Sequence, residues 1–221
     1  MSKPKLSESP ERQGIRETLK NIAIDAEQLG LDSFDPKQLA GLNVRLEHMD
    51  MNETSSSKPL YFAPYPDHQL PYAGDQLGGM EKEVGDDRWG REFDRHCYQL
   101  ADVIQTNIDH SSYHFNEHNF PLAPWTSMEP GDYPYVAMDF GLEYRARYLT
   151  YEITDIDDTE HPHVKLIVRQ GMDATDSTIL RGELIPMVAT MVVQSLRKRL
   201  LNHIVFPVLK LVPLRLLSLV T

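Results

Sequence analysis

The amino-acid sequence predicts an α+β fold, in which a small antiparallel sheet or hairpin packs against two or three helices. Residues 135–169 are rich in aromatic and β-branched side chains, which is typical of strands. Residues 11–29, 88–108 and 184–204 instead repeat apolar side chains at helical spacing. Helices and strands are thus segregated along the chain, which favours α+β over an alternating α/β order.

Length and composition predict one domain. The 221 residues suffice for one buried core, and 25% charged residues is an ordinary share for a folded protein. Residues 1–10 consist mostly of Lys, Ser, Pro and Glu, which is typical of a disordered arm. We therefore expect a disordered arm at 1–10 and a single α+β domain at 11–221.

The first predicted helix, 11–29, has one apolar face. Its apolar residues recur at spacings of three and four, and they are Ile15, Leu19, Ile22, Ala26 and Leu29. Gly30 follows directly and is a typical C-terminal stop. The stripe predicts that this helix packs on the body of the protein, and pairing with a coiled-coil partner is the alternative.

The next segment predicts a short strand and then a long connection. Residues 42–51 alternate in part between apolar and polar side chains, which indicates a strand. Residues 52–87 contain four prolines and four glycines, so we expect a long irregular loop there. Several aromatic residues at 59–72 argue against pure disorder and make this loop a candidate contact surface.

The middle of the chain predicts a helix followed by a hairpin. Residues 88–108 carry an apolar stripe that includes Cys97. Residues 135–153 and 163–169 have the composition of strands, and the polar residues 155–162 between them predict a turn. The two strands should therefore form an antiparallel hairpin, with one side of the sheet facing solvent.

The last predicted helix spans residues 184–204. Ile185, Ala189 and Val192 share its apolar face, and Pro186 is tolerable only within its first turn because an interior proline lacks the N–H donor. Pro207 should end the helix.

Charge is distributed unevenly along the chain. The whole chain has 33 Asp and Glu against 22 Lys and Arg, but no acidic residue follows Glu183. The basic residues beyond that point are Arg197, Lys198, Arg199, Lys210 and Arg215. We expect this apolar, basic end to dock against the acidic body, with Arg197, Lys198 and Arg199 as interaction residues. Docking into a partner and peripheral contact with a membrane surface are the lesser alternatives.

Composition argues against several classes of protein. A net charge of −11 disfavours broad nucleic-acid binding, which needs Lys and Arg to replace counterions, and no run of about 18 uncharged apolar residues predicts a spanning helix. The chain has one cysteine and a polar start without a signal-peptide core, so we expect a reducing, cytoplasmic location. Cys97 should be a small buried side chain rather than a nucleophile.

Three histidines form the sharpest candidate site. His110, His114 and His118 are spaced four residues apart, so on a helix they would share a face with Glu117 among them. Imidazole nitrogen is a good zinc ligand. One hypothesis is therefore a zinc site with these histidines as ligands and Glu117 as general base or fourth ligand. The surrounding Asn, Asp and Ser residues favour a polar loop with solvated histidines instead.

The other histidines give weaker signals. His161 and His163 follow an acidic stretch that lacks the order of a calcium loop, which predicts a charged hairpin turn. This turn would be the natural donor of a further ligand if the first cluster bound metal. His203 lies at the edge of an apolar helix face, which is typical of a hydrogen-bonded core histidine.

Part of the second half resembles a known family. The stretch from Phe140-Gly-Leu-Glu-Tyr-Arg-Ala-Arg-Tyr-Leu to Arg197-Lys-Arg-Leu-Leu-Asn-His-Ile-Val-Phe-Pro-Val resembles an uncharacterised family of filamentous-fungal proteins. The resemblance covers about residues 88–208 and implies neither an activity nor a site. The sequence beyond Val208 departs from what such relatives would carry.

Two functional hypotheses follow. The leading one is a non-enzymatic interaction or scaffold protein that binds a protein partner or forms a homo-oligomer, because no phosphate loop, nucleophile elbow or other catalytic motif is complete. The alternative is a metal-dependent hydrolase that uses His110, His114 and His118. Zinc is the cofactor implied by the second hypothesis only.

Overall fold

The computed structural model describes residues 7–47, 125–128, 148–170, 172, 175 and 177–211. These residues form an α+β fold, as predicted. The helices are α1 (Pro10–Leu29), α2 (Pro36–Gly41) and α3 (Arg181–Leu196), with a 3₁₀ helix at Lys198–Leu200. The strands are β1 (Ser33–Phe34), β2 (Trp125–Met128), β3 (Tyr148–Ile156), β4 (Val164–Gln170), β5 (Ile179–Leu180) and β6 (Val208–Leu211). The predicted loop at 52–87 and the predicted helix at 88–108, with Cys97, lie outside the described residues.

Helix α1 ends where its sequence predicts, but it begins one residue earlier, so Ser9 and Pro10 of the predicted arm belong to its start. The hydroxyl oxygen of Ser9 accepts a hydrogen bond from the backbone N–H of Arg12 at 3.2 Å, and Pro10 occupies the first turn, where its missing N–H costs nothing. At the other end Gly30 has a φ of 63°, and its N–H bonds to the carbonyl of Glu27. A left-handed residue in this position is the usual reason for glycine there.

The strand predicted at 42–51 is wrong over its described part, residues 42–47. Helix α2 ends there in a Schellman motif: the N–H of Val44 bonds to the carbonyl of Leu39 at 2.8 Å, and the N–H of Asn43 to that of Ala40 at 3.1 Å. Asn43 takes the left-handed conformation, with a φ of 56°. Val44 packs against the core because it follows this cap, and not because it belongs to a sheet.

The predicted hairpin is confirmed, although its first strand runs on to Ile156 and the predicted strand residues 135–147 lie outside the described residues. Strands β3 and β4 pair antiparallel, with Ile153 opposite Leu166 and a bulge between Thr150 and Glu152. Strand β2 pairs antiparallel with the outer side of β3, and β6 pairs parallel with β4, so the sheet order is β2-β3-β4-β6. The parallel strand was not predicted from the sequence. It makes β4, α3 and β6 a crossover unit, with the helix lying over the sheet.

Helices α1 and α3 form the layer that covers one face of the sheet. The buried cluster includes Leu166 and Val168 of β4, Ile185 and Val192 of α3, and Ala26 of α1. The opposite face is not solvated as predicted, because Thr154, Ile156 and Ile167 have exposed fractions of only 5%, 6% and 2%. Strand β4 has both edges paired, and it buries Val164, Leu166 and Val168 on one face and Ile167 on the other.

Helix α3 begins and ends earlier than the predicted bounds of 184–204. The carboxylate of Glu183 accepts the backbone N–H of Leu180 at 2.9 Å, and the N–H of Arg181 bonds to the carbonyl of Asp32. These bonds supply partners for N–H groups at the helix start. Pro186 consequently lies inside the helix, in its second turn. The helix stops at Leu196, since Arg197 is extended.

Candidate functional site

The C-terminal segment, residues 197–211, is tied to the body by ion pairs. The carboxylate of Asp155, which is only 2% exposed, pairs with Arg197 and lies 3.2 Å from Nη2 of Arg199. Arg199 also contacts Oδ1 of Asp157 at 2.5 Å and donates to the carbonyl of Ile156 at 2.9 Å. The end of β3 therefore neutralises two of the three adjacent basic residues, while Lys198 is exposed.

Strand β6 adds a second attachment. Its Lys210 pairs with Glu183, whose other carboxylate oxygen holds the start of α3. Burial lowers the pKa of Lys210, and the neighbouring carboxylate of Glu183 opposes that shift. The predicted docking of a basic, apolar end on the acidic body is thus confirmed over residues 197–211, whereas residues 212–221, with Arg215, lie outside the described residues.

Arg12 of α1 is the third attachment, and its side chain is completely buried. The guanidinium donates to the carbonyl of Ser195 from Nε at 3.0 Å and from Nη2 at 2.8 Å. Its Nη1 donates to the carbonyls of Leu200 and His203, the latter at 2.7 Å. Positive charge is favourable at the C-terminal end of a helix, where carbonyl groups lack intrahelical partners. We call this group of carbonyls the carbonyl cage.

A cleft of about 340 Å³ lies between the β3–β4 turn and the C-terminal segment. Its lining residues are Glu160, Pro162, His163, Asn202, His203, Ile204, Val205 and Pro207. Nε2 of His203 donates to the carbonyl of Thr159 at 2.9 Å and so holds the two walls together. Ile204 and Val205 remain 42% and 45% exposed, although both are large and apolar.

The turn side of the cleft is held by Asp158. Its Oδ1 accepts the backbone N–H groups of Glu160 at 2.9 Å and His161 at 2.7 Å, and its Oδ2 lies 2.6 Å from Nδ1 of His161. Burial alone would raise the pKa of Asp158, but the hydrogen bonds from His161 and Glu160 lower it overall. This short-range network builds the turn that the acidic stretch predicts.

The imidazole of His163, which lines the cleft, has a shifted pKa. Its ring centroid lies 6.0 Å from that of His161. Burial lowers the pKa of His163, the charges of His161 and His203 lower it further, and Asp158 opposes them. The cleft therefore combines the apolar side chains of Ile204 and Val205 with an imidazole that is harder to protonate than usual.

The sequence-predicted site residues fall into two groups. His110, His114, His118 and Glu117 lie outside the described residues. Of the predicted interaction residues, Arg197 and Arg199 face Asp155 and Lys198 faces solvent. Within the part of the chain that the structure describes, no three His, Cys, Asp or Glu side chains are grouped so that they could hold a metal ion.

Two features were not predicted from the sequence. One is the burial of Arg12 among backbone carbonyls, and the other is the cleft that His163 and His203 both line. An arginine in the first turn of an amphipathic helix looks like any solvated residue, so its sequence carries no signal. The two histidines are 40 residues apart and meet only through the hairpin and the α3–β6 connection. The acidic stretch 155–160 and the basic run 197–199 offered a usable signal, because opposite charges of this density attract.

Comparison with known proteins gave no match: no protein-family model, curated protein or solved structure is significantly similar to this chain. Among the helices of the described residues, none has both the length and the apolar character that a bilayer crossing requires.

Proposed function

We propose that this protein is a non-enzymatic interaction or scaffold protein, which binds its partner through the cleft beside the C-terminal segment. The observation that carries the proposal is the exposure of Ile204 and Val205, at 42% and 45%, on the rim of a 340 Å³ concavity. Apolar side chains that are exposed together and rimmed by polar groups are typical of interaction sites.

The walls of the cleft favour binding because they are held in place before any partner arrives. His203 bonds to the turn, Arg199 bridges Asp155 and Asp157, and the buried Phe206 lies 5.1 Å from the guanidinium carbon of Arg12. A preformed surface loses less conformational entropy on association than a flexible one. Ile204 and Val205 therefore lie on a wall whose position is set by these contacts.

Site-specific photo-crosslinking tests the proposal. A photoreactive amino acid replaces Val205 in one full-length chain and Leu196 in another, since Leu196 is also apolar and 52% exposed but does not line the cleft. In the cells that make the protein, we expect defined adducts from position 205 that Ile204→Asp abolishes. Identical adducts from both positions, or none from 205, would overturn the proposal.

Elemental analysis separates this function from the hydrolase alternative. A scaffold should purify without stoichiometric zinc and keep its melting temperature in the presence of a chelator. Stoichiometric zinc that disappears in the His110→Ala/His114→Ala variant would support the metal-dependent hydrolase instead.

A further inference from the structure

We propose that helix α1 controls the cleft, and that Arg12 is the positioning residue through which it does so. The inference rests on the proposed function, because it concerns regulation of the same cleft. When the first half of α1 is docked, Arg12 holds the wall formed by residues 200–205 in its binding shape. When it undocks, the wall loses that support and the cleft opens.

The carbonyl cage provides the physical connection. The planar guanidinium of Arg12 donates hydrogen bonds to the carbonyl of Ser195, at the end of α3, and to the carbonyl of His203, which lines the cleft. Leu200, which lies between them and is 0% exposed, supplies a third acceptor. Hydrogen bonds from a charged donor are stronger and more directional than neutral ones. The position of His203 is therefore set from the side of α1 as well as from Thr159.

Apart from Arg12, the first half of α1 is held to the body by Leu19, which is only partly buried against the core. Between residues 10 and 21 Arg12 is the only buried residue, and the other buried residues of the helix are Ile22, Ala23 and Ala26. A side chain at Gly14 would contact nothing within 4 Å, and glycine weakens a helix interior. Helical segments with few buried apolar contacts open more readily than the core. Loss of the Arg12 bonds should thus release this half of the helix locally.

Undocking of Arg12 would leave several backbone carbonyls without their hydrogen-bond donor at once. Without Arg12, the carbonyls of Ser195, Leu200 and His203 lose their shared donor and must find water, so the compact turn after α3 is no longer favoured. The amides of Leu200 and His203, which bond within this turn at 3.1 Å and 3.0 Å, report directly on its integrity. Ile204 and Val205 follow in the chain and would move with it.

Hydrogen exchange and imidazole titration on the full-length chain test the proposal. In Arg12→Ala, exchange at the Leu200 and His203 amides should accelerate by about tenfold or more for each charged hydrogen bond lost, while β4 amides change little. The pKa of His163, followed by NMR, should rise toward its usual value as the wall moves away. A purely structural role would lower protection everywhere and would not alter the His163 titration selectively.

Arg16→Ala is the matched control, one turn further along α1. Arg16 pairs mainly with Glu8, at 2.9 Å from Nη2, and reaches Ser195 only at 3.4 Å. It should leave the His203 amide and the His163 titration unchanged. Equal effects of Arg12→Ala and Arg16→Ala, or a uniform loss of protection that includes β4, would overturn the inference.

If Arg12→Ala does not fold, the unmodified chain still decides the question. Native-state hydrogen exchange at low denaturant should show residues 13–21 and the amides of Leu200 and His203 opening together, before β4 does. Separate openings, or opening only with β4, would contradict the inference. None of these measurements needs a partner, so the inference can fail while the binding function stands, and the crosslinking result can fail while the coupling stands.

Discussion

Arg12 and Asp155 are charged residues with almost no solvent exposure, at 0% and 2%. A buried charge is costly unless other groups replace the water it has lost. Arg12 has backbone carbonyls and the carboxylate of Glu8, 3.4 Å from its Nε, for this purpose, whereas Asp155 has the side chains of Arg197 and Arg199. Removing either charge takes away a partner that several partly or fully buried groups share, which makes these two residues more important to stability than the exposed charges.

Asp155→Asn should lower the free energy of unfolding by about 2–3 kcal/mol, because two partly buried arginines lose their shared carboxylate. Urea denaturation measures this. Asp157→Asn is the control, since the side chain of Asp157 is 77% exposed, and it should cost no more than about 1 kcal/mol. Comparable losses in the two variants would show that burial of Asp155 does not set its contribution.

Stability should fall as the solution becomes acidic, through His163. Its pKa is lowered in the folded protein, chiefly by burial, so the unfolded chain binds a proton more readily. The free energy of unfolding therefore decreases as the pH falls below about 6.5, the usual histidine value, until the folded-state pKa is passed. Denaturation at a series of pH values should show this slope, and His163→Gln should flatten it. An unchanged slope in that variant would assign the effect to other groups.

At the scale of single elements, β6 is short for a strand and depends on what surrounds it. Four residues pair with β4, and the N–H of Val164 bonds to the carbonyl of Pro207 just before the strand. Glu183 joins the strand to the start of α3, because one carboxylate oxygen contacts Lys210 and the other caps the helix. The crossover unit is thus fastened at both ends of its helix, by Arg12 at one and by Lys210 at the other.

Lys210→Met should destabilise the protein by about 3 kcal/mol, since it leaves the buried carboxylate of Glu183 without its cation. The double change Lys210→Met/Glu183→Gln should restore at least half of that loss, because a glutamine oxygen can still accept the N–H of Leu180. Chemical denaturation of the four members of the double-mutant cycle measures the coupling. Simple additivity would mean that the pair contributes little.

At the scale of the whole molecule, the elements specified by local patterns were predictable from the sequence. The helical spacing of Ile22 and Ala26, followed by Gly30, predicted α1. The polar turn between two segments rich in β-branched residues predicted the hairpin. Residues 42–47 were wrongly predicted as a strand because Leu42, Val44 and Leu46 alternate with polar residues. In the structure Asn43 is left-handed and follows the end of a helix. Both readings satisfy the same apolar pattern, and only backbone geometry separates them.

Contacts between distant parts of the chain were less predictable. Charge asymmetry indicated that the basic end docks on the acidic body, but it could not specify that Asp155 and Glu183 are the acceptors. The parallel pairing of β6 depends on where α3 carries the chain, and the role of Arg12 depends on which helix end lies next to α1. Such information is spread over the packing of several elements and is not present in any one window of sequence.

The contacts of the carbonyl cage join the two ends of the described chain, so they form late in synthesis. The two residues joined at this point, Arg12 and His203, are 191 positions apart. At a synthesis rate of about 5–20 residues per second, roughly 10–40 s pass between their appearance on the ribosome. During that interval the arginine side chain stays hydrated, so its contact with His203 can form only after residue 203 has been synthesised.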